Sequence, residues 1–132
     1  TCDLVLTHDG VRPFASRSLF KKVIKEGLNY KAVISATKAK DTIKVVNSDM
    51  TVRKTPKRDF LYNVQTPQVY DRKILIDLYK SYLESDYKIT DDSQLFEIFT
   101  KEKVKVIEGE YTNIKITTPE DLVFARAIME DI

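Results

Sequence analysis

Hydrophobic residues recur along this chain with two periods, one typical of β-strands and one typical of α-helices. Residues 3–7, with an apolar run at 4–6, predict a first strand, and residues 32–36 predict a second, buried strand. Between them, apolar side chains recur at helical spacing, and Ser16 or Ser18 can cap that helix. Its predicted core face consists of Leu19, Phe20, Val23, Ile24 and Leu28. The strand–helix–strand order favours a parallel sheet in an α/β fold.

The second half of the chain continues this alternation. Asp71 opens a predicted helix, and Thr90 is the predicted N-cap of another helix with two acidic residues in its first turn. Residues 104–107 and 113–117 predict strands, and the Thr-Pro pair at 118–119 predicts the start of a last helix. That last helix is expected to bury Leu122, Ala125, Ile128 and Met129.

Residues 38–62 have a different pattern, in which short β-branched runs flank a turn at 47–49. This segment has too few apolar residues to join a core. Its many charges are Lys38, Lys40, Asp41, Lys44, Asp49, Arg53, Lys54, Lys57, Arg58 and Asp59. The pattern fits a protruding β-arm that packs on a partner subunit and a solvated surface hairpin equally well.

Composition narrows the classes of protein. A chain of 132 residues with 42% hydrophobic and 32% charged residues fits one globular domain. A net charge of +2 argues against nucleic acid or a membrane surface as partner, and no apolar run approaches the ~20 residues that span a bilayer. A single cysteine excludes an internal disulfide framework and fits the cytoplasm, and a single histidine excludes a multi-histidine metal cage.

Candidate chemistry begins directly after the first strand. Asp9 follows the strand at the edge of the sheet where α/β folds bind ligands, so its carboxylate could bind Mg²⁺ or another divalent cation. Gly10 would allow a ligand to approach the backbone closely, and the planar fork of Arg12 could hold a phosphate. The alternatives are a turn aspartate and a structural salt bridge. We assign no chemistry to His8, because a lone histidine is more often a satisfied structural residue.

Further candidate groups lie later in the chain. Lys115 is costly inside an apolar strand unless it is paired, and at a strand end it could neutralise a phosphoryl group. Thr90 could donate to a substrate as well as cap its helix, and Arg58 belongs to a cationic stretch that could equally be a solvated face. One carboxylate with several cations and hydroxyls, and no nucleophile–base pair, suits phosphoryl or nucleotidyl transfer.

Five segments in the same order resemble the 2-C-methyl-D-erythritol 4-phosphate cytidylyltransferases. They cover essentially the whole chain. The segments are HDGVRPF at 8–14, KDTIK at 40–44, LYNVQTPQ at 61–68, ITDD at 89–92 and NIKITTPEDL at 113–122. The resemblance implies a Rossmann-like α/β nucleotidyltransferase sheet with helices on both faces and a protruding β-arm. Residues 1–132 would then form a single, partial domain with residues 38–62 as a dimerisation arm.

The resemblance also implies an activity. Such enzymes of the non-mevalonate isoprenoid pathway join CTP and 2-C-methyl-D-erythritol 4-phosphate, with Mg²⁺, and release pyrophosphate. Arg58 and Lys115 would be the catalytic residues that position the sugar phosphate, and Arg58 and Thr42 would act across a homodimer. The other substrate-binding residues implied are Asp9, Gly10, Arg12, Thr66 and Thr90, with Asp9 also the metal ligand.

The family's Gly-rich loop, which holds the CTP triphosphate, has no counterpart among Gly10, Gly27 and Gly109. We therefore expect the N-terminal, nucleotide-cradling strands to lie outside this chain, and the chain alone to bind CTP poorly and not turn over. Two alternatives stay open. One is a ribitol-5-phosphate cytidylyltransferase, whose signature often reads THDGVRPF as residues 7–14 do. The other is a non-catalytic α/β dimerisation module.

Overall fold

The structure, a computed structural model, describes residues 2–130. Strands and helices alternate along this part of the chain. The strands are β1 (Leu4–Thr7), β2 (Ala32–Lys38), β3 (Val45–Val46), β4 (Val52–Lys54), β5 (Tyr62–Asp71) and β6 (Val104–Glu108). The helices are α1 (Arg17–Gly27), α2 (Arg72–Leu83), α3 (Ser93–Phe99) and α4 (Pro119–Glu130), with a 3₁₀ turn at Arg58–Phe60.

The central sheet is mixed, with strand order β1-β5-β2-β6. β5 runs antiparallel to both β1 and β2, whereas β6 runs parallel to β2. The prediction of a parallel sheet is therefore wrong for β1 and β2 as neighbours. The two strands do run in the same direction, but antiparallel β5 lies between them. The reason is that the chain leaves β2, forms a ribbon and returns directly beside β2, and such a return produces an antiparallel neighbour.

β5 is the longest strand, and the sequence pattern did not predict it because Pro67 lies in its middle. Proline cannot donate to a ladder and is tolerated within sheets at edges or bulges. The pairing with β2 jumps from Ile34↔Gln68 to Ser35↔Gln65, so Thr66 and Pro67 face no partner residue in β2. This bulge accommodates the proline and re-aims the residues around it.

Both faces of the sheet are covered by helices, as predicted. Alternate residues of β2 and β5 point to opposite faces, with Ala32 and Tyr70 on one side and Val33 and Val69 on the other. α1 covers the second side with Leu19 and Val23, which are buried as predicted. The rest of its predicted core face is not buried, because Ile24 is 44% exposed and Leu28, just beyond the end of the helix, is 76% exposed, while Phe20 is half-buried. α2 and α3 cover the first side with Leu75, Leu78, Leu95 and Phe96.

Residues 39–61 leave the body as a two-stranded ribbon. β3 and β4 pair with each other in a separate small sheet, joined by a turn in which Met50 has a φ of 65°. Most side chains of the ribbon are exposed, including Met50 at 77% and Phe60 at 80%. The ribbon therefore presents large apolar side chains to its surroundings.

Two predictions about the end of the chain are wrong. Residues 113–117 form no strand, because the Asn113 side chain is buried and Ile116 donates its N–H to the Val11 carbonyl rather than to a ladder. α4 buries Ala125, but Leu122 and Met129 are 49% and 66% exposed. A helical pattern identifies an apolar face without identifying a neighbour that covers it. Across residues 2–130, each helix is too short or too polar to cross a bilayer.

Candidate active site

A cavity of about 580 Å³ opens where β1 ends, beside the bulge in β5 and the start of α3. Its wall includes most of the candidate residues named from sequence, brought together from four distant segments. These are Asp9, Arg12, Thr66, Thr90 and Lys115. The cavity is therefore the place where the described residues could bind a ligand with several polar groups.

A compact ion cluster forms the floor of this cavity. Arg12 Nε and Lys115 Nζ each lie 3.2 Å from Asp9 Oδ2. Arg12 is anchored further, because its Nη1 donates to the Asn113 carbonyl at 2.8 Å and its N–H closes a turn on the Asp9 carbonyl at 3.0 Å. Two cations share one carboxylate, so the cluster carries a net positive charge that suits an anionic ligand.

The same cluster keeps Asp9 ionised. Partial burial of the carboxyl raises the pKa of Asp9, but hydrogen bonds and charge from Lys115 and Arg12 outweigh it, so the pKa lies below the usual value. Asp9 is therefore a carboxylate at neutral pH. Asp9 does form a turn with Arg12, and the two side chains do form a salt bridge. These structural roles are compatible with a ligand site, because the same contacts build the charged floor of the cavity.

His8 and Thr66 hold the Asp9 turn against β5. Thr66 Oγ1 accepts the Asp9 N–H at 2.9 Å and lies 3.0 Å from His8 Nδ1, while His8 Nε2 lies 3.1 Å from the Arg12 carbonyl. A carbonyl can only accept, so Nε2 is the donor to Arg12, and Nδ1 is the nitrogen paired with the Thr66 hydroxyl. Both ring nitrogens are satisfied, which agrees with the prediction of a structural histidine.

The opposite wall of the cavity is the start of α3. Thr90 is not the N-cap that the sequence predicted, because α3 begins at Ser93 and the carboxylate of Asp91 accepts the Gln94 N–H at 3.2 Å. The Thr90 hydroxyl donates instead to Gln94 Oε1 at 3.1 Å. Thr90 nevertheless lines the cavity, with its hydroxyl oxygen able to accept a bond from a ligand.

A tyrosine on α2 fixes this wall from behind. The Tyr79 hydroxyl donates to Asp92 Oδ1 at 2.5 Å. Burial, together with this bond to a carboxylate, raises the pKa of Tyr79 to about 12. The hydroxyl therefore remains a donor at neutral pH and keeps α2 and α3 in contact.

Three candidate residues lie outside this cavity. An added Cβ at Gly10 would meet nothing within 4 Å, so the chain itself does not require a glycine there for close approach. Thr42 is exposed in the ribbon. Arg58 donates from Nη1 to the Lys40 carbonyl at 2.9 Å, also in the ribbon. The structure of one chain thus separates Thr42 and Arg58 from the ion cluster.

Two polar residues of the site region had no role in our sequence interpretation. Gln65 is 7% exposed, and Asn113 is fully buried. Both belong to segments of the family resemblance, but polarity alone did not distinguish buried amides from surface amides. Their burial results from the β5 bulge and from the irregular backbone after β6, neither of which a periodic pattern predicts.

The donor set fits a magnesium ion only as a partner of bound phosphates. Asp9 Oδ2 already accepts from two cations, whereas Oδ1 has no hydrogen-bond partner among residues 2–130. Within the same residues there is no group of three or more His, Cys, Asp or Glu side chains that could hold a metal ion. Mg²⁺ commonly takes one or two carboxylates and completes its shell with water and substrate phosphates. A single free oxygen on Asp9 meets that requirement.

Comparison with known proteins identifies relatives over the whole chain. The family model described as IspD, 2-C-methyl-D-erythritol 4-phosphate cytidylyltransferase, matches residues 1–131. The chain is 42% identical over 128 residues to the 2-C-methyl-D-erythritol 4-phosphate cytidylyltransferase of Caldanaerobacter subterraneus, covering 97% of this chain and 56% of that protein.

Solved structures show the same fold. The 4-diphosphocytidyl-2C-methyl-D-erythritol synthase of Anaerococcus prevotii superimposes with a TM-score of 0.91 at 59% identity, over 97% of this chain and 59% of that one. The 2-C-methyl-D-erythritol 4-phosphate cytidylyltransferase of Thermus thermophilus gives a TM-score of 0.86 at 31% identity, over 98% of this chain and 63% of that one. The chain therefore spans less than two thirds of the length of these relatives. Its sequence and its fold agree with theirs throughout the part that it covers, and the chain belongs to the IspD family of 2-C-methyl-D-erythritol 4-phosphate cytidylyltransferases.

Proposed function

We propose that this chain forms the sugar-phosphate side of the active site of a cytidylyltransferase that joins CTP and 2-C-methyl-D-erythritol 4-phosphate. The proposal rests on the cluster of Asp9, Arg12 and Lys115, in which two cations pair with one carboxylate on the floor of a cavity. A net positive floor suits a phosphate monoester. The hydroxyls of Thr66 and Thr90 on the cavity wall suit the polyol attached to it.

The chemistry required is an in-line displacement at phosphorus. A phosphate oxygen of the sugar phosphate attacks the α-phosphorus of CTP, a new P–O bond forms, and the bond to the bridging oxygen breaks as pyrophosphate leaves. No side chain needs to act as a nucleophile, so catalysis consists of positioning and charge stabilisation. Lys115 and Arg12 would hold the attacking phosphate, and Asp9 would hold both cations in place.

A divalent cation would supply additional charge neutralisation at the phosphates. We propose that Asp9 Oδ1 contributes one ligand to Mg²⁺ and that phosphate oxygens and water supply the rest. The single exposed cysteine supports a further proposal, that the enzyme works in the reducing cytoplasm.

We also propose that the ribbon is a dimerisation arm and that Thr42 and Arg58 complete the site of a second copy. Two observations support this proposal. Both residues lie outside the cavity of their own chain, and the ribbon exposes large apolar side chains such as Met50, Val52 and Phe60. Exposed apolar side chains grouped on one segment are typical of a surface that another protein covers.

Substrate identity is tested by cytidylyl transfer in an IspD-length protein that contains these 132 residues, called the IspD-length protein below. We expect pyrophosphate release from CTP with 2-C-methyl-D-erythritol 4-phosphate, and a kcat/KM at least about 100-fold lower with ribitol 5-phosphate, because a polyol of different length misplaces the attacking phosphate. Equal or better transfer to ribitol 5-phosphate would contradict the assignment of the substrate. No transfer to either sugar phosphate would contradict the assignment as an enzyme.

A further inference from the structure

We infer that the side-chain amides of Gln65 and Asn113 act as a positioning pair, the amide clamp, which holds Arg12 and Lys115 at the phosphate-binding floor. The inference rests on the proposed function, because it assigns a role in binding the sugar phosphate. Neither side-chain amide is hydrogen-bonded to Asp9, Arg12 or Lys115, so the pair acts through the backbone that carries these contacts.

The need for a clamp follows from the backbone that carries Lys115. Residues 113–117 form no strand, so no ladder of hydrogen bonds fixes them to the sheet. Yet Lys115 Nζ is held 3.2 Å from Asp9 Oδ2, on an element at the other end of the sequence. A lysine side chain with four rotatable bonds, on a loop that has only isolated hydrogen bonds in place of a ladder, would lose much of this geometry to conformational entropy.

Gln65 uses its entire hydrogen-bonding capacity on Glu110 and Asn113, in the turn that leads into the Lys115 segment. Its Nε2 donates to the carbonyls of Glu110 at 2.9 Å and Asn113 at 3.3 Å. Its Oε1 accepts from the Glu110 N–H at 3.2 Å and from Asn113 Nδ2 at 3.4 Å. Two donors and two acceptors are the full inventory of a glutamine amide, so this side chain takes the place of a missing strand partner.

Asn113 connects the clamp to the site. Its Nδ2 donates to the Thr66 carbonyl at 2.8 Å, a group that the β5 bulge leaves without a partner residue in β2. Its main-chain carbonyl oxygen accepts from Arg12 Nη1 at 2.8 Å. The residue therefore contacts the strand that carries Thr66, holds the guanidinium of Arg12, and precedes Lys115 by two positions.

The position of the clamp is also limited from behind. A Cβ added to Gly109 would overlap Gln65 Oε1 and would lie 3.3 Å from the backbone of Ala36. The Gln65 amide thus lies directly against the turn after β6, where a side chain at 109 would displace it. Glycine is required at 109 because of this close approach and not because of its φ.

The experiment compares two near-isosteric variants of the IspD-length protein, Gln65→Glu and Asn113→Asp, which remove the amide donors and keep the shape. We expect kcat/KM for the sugar phosphate to fall at least about tenfold while the KM for CTP changes less than about twofold. Val23→Ala is the matched control, because Val23 is buried on α1 and does not line the cavity. It lowers the midpoint of urea unfolding without this split between the two substrates.

A second readout does not depend on activity. The Ile116 N–H is bonded to the Val11 carbonyl at 2.9 Å, so its hydrogen exchange reports how firmly the Lys115 segment is held. We expect both clamp variants to exchange this amide at least about tenfold faster while the amide of Val33 in β2 is unchanged. If the clamp variants resemble Val23→Ala in kinetics and leave Ile116 protected, the amides are merely structural and the inference is wrong. If the unmodified protein transfers to no sugar phosphate, the proposed function fails, and that result is visible before any variant is made.

Discussion

At the scale of single residues, the site is organised by Asp9 rather than by its cations. Asp9 Oδ2 accepts from both Arg12 and Lys115, and the Asp9 N–H is held by Thr66. The position of Asp9 after the first strand made it a candidate site residue, but the residues alone left a turn aspartate as an open alternative. The turn could be predicted from the local pair Asp9-Gly10. The contact with Lys115 could not, because it depends on the course of the chain over more than a hundred residues.

Asp9→Asn should make stability less dependent on pH. Because the pKa of Asp9 is lowered in the folded state, its stabilising effect is present above the unfolded pKa of about 4 and is lost as the pH falls through the folded value. Urea unfolding of the IspD-length protein between pH 3 and pH 7, about the range in which carboxylates titrate, measures this directly. The difference in unfolding free energy between the two proteins should be constant near neutral pH and shrink in acid. A difference that grows in acid would contradict it.

At the scale of secondary-structure elements, locally encoded features were predictable and tertiary ones were not. Ser16, one of the two caps offered for α1, and Asp71 at the start of α2 are N-caps in the structure, because capping depends on a few neighbouring residues. The cap predicted at Thr90 is wrong, because α3 begins three residues later, at Ser93. β5 was missed because Pro67 is a local signal against a central strand, and the bulge that tolerates it depends on β2. The strand predicted at 113–117 is wrong although its local pattern is typical of a strand. Its backbone groups bond to side chains and to the loop that contains Val11 instead of to a neighbouring strand.

The N-cap of α2 can be used to test whether a local capping interaction stabilises the fold. Asp71 Oδ1 accepts from the N–H groups of Lys73 and Ile74, and Oδ2 pairs with Lys31. Asp71→Ala should lower the unfolding free energy by about 1 kcal/mol, as the loss of an N-cap typically does. Asp71→Asn keeps the cap and loses only a partly exposed ion pair, so it should cost roughly half as much or less. Equal losses in urea unfolding would show that the ion pair, and not the cap, matters.

At the scale of the whole molecule, the fold divides into a layered body that carries the cavity and a ribbon that carries Thr42 and Arg58. One chain does not bring these groups together, which is why we propose that the ribbon of a second copy completes the site. The residue pattern left a dimerisation arm and a surface hairpin equally open, because a charged ribbon has the same pattern whether or not a partner covers it, and the family resemblance favoured the arm. The exposure of Phe60 at 80% is the structural feature that favours the arm.

Mixing two inactive variants distinguishes an arm that acts across subunits from one that acts within its own chain. Arg58→Ala and Lys115→Ala are combined in the IspD-length protein after reversible dissociation. In a mixed dimer with crossed arms, one site has both residues intact, so random pairing should restore about a quarter of the unmodified activity. Each variant taken alone through the same steps is the control. Activity that stays at the level of the single variants would mean that Arg58 does not act in trans.

Removing Lys115 from the ion cluster tests directly whether this cluster binds the reacting phosphate. We predict that Lys115→Ala in the IspD-length protein lowers kcat/KM for 2-C-methyl-D-erythritol 4-phosphate by at least about 30-fold, equivalent to roughly 2 kcal/mol of transition-state stabilisation. Lys103→Ala, an exposed lysine outside the cavity, should leave the rate unchanged. Transfer within about twofold of the unmodified rate after removal of Lys115 would contradict the claim that this cluster binds the reacting phosphate.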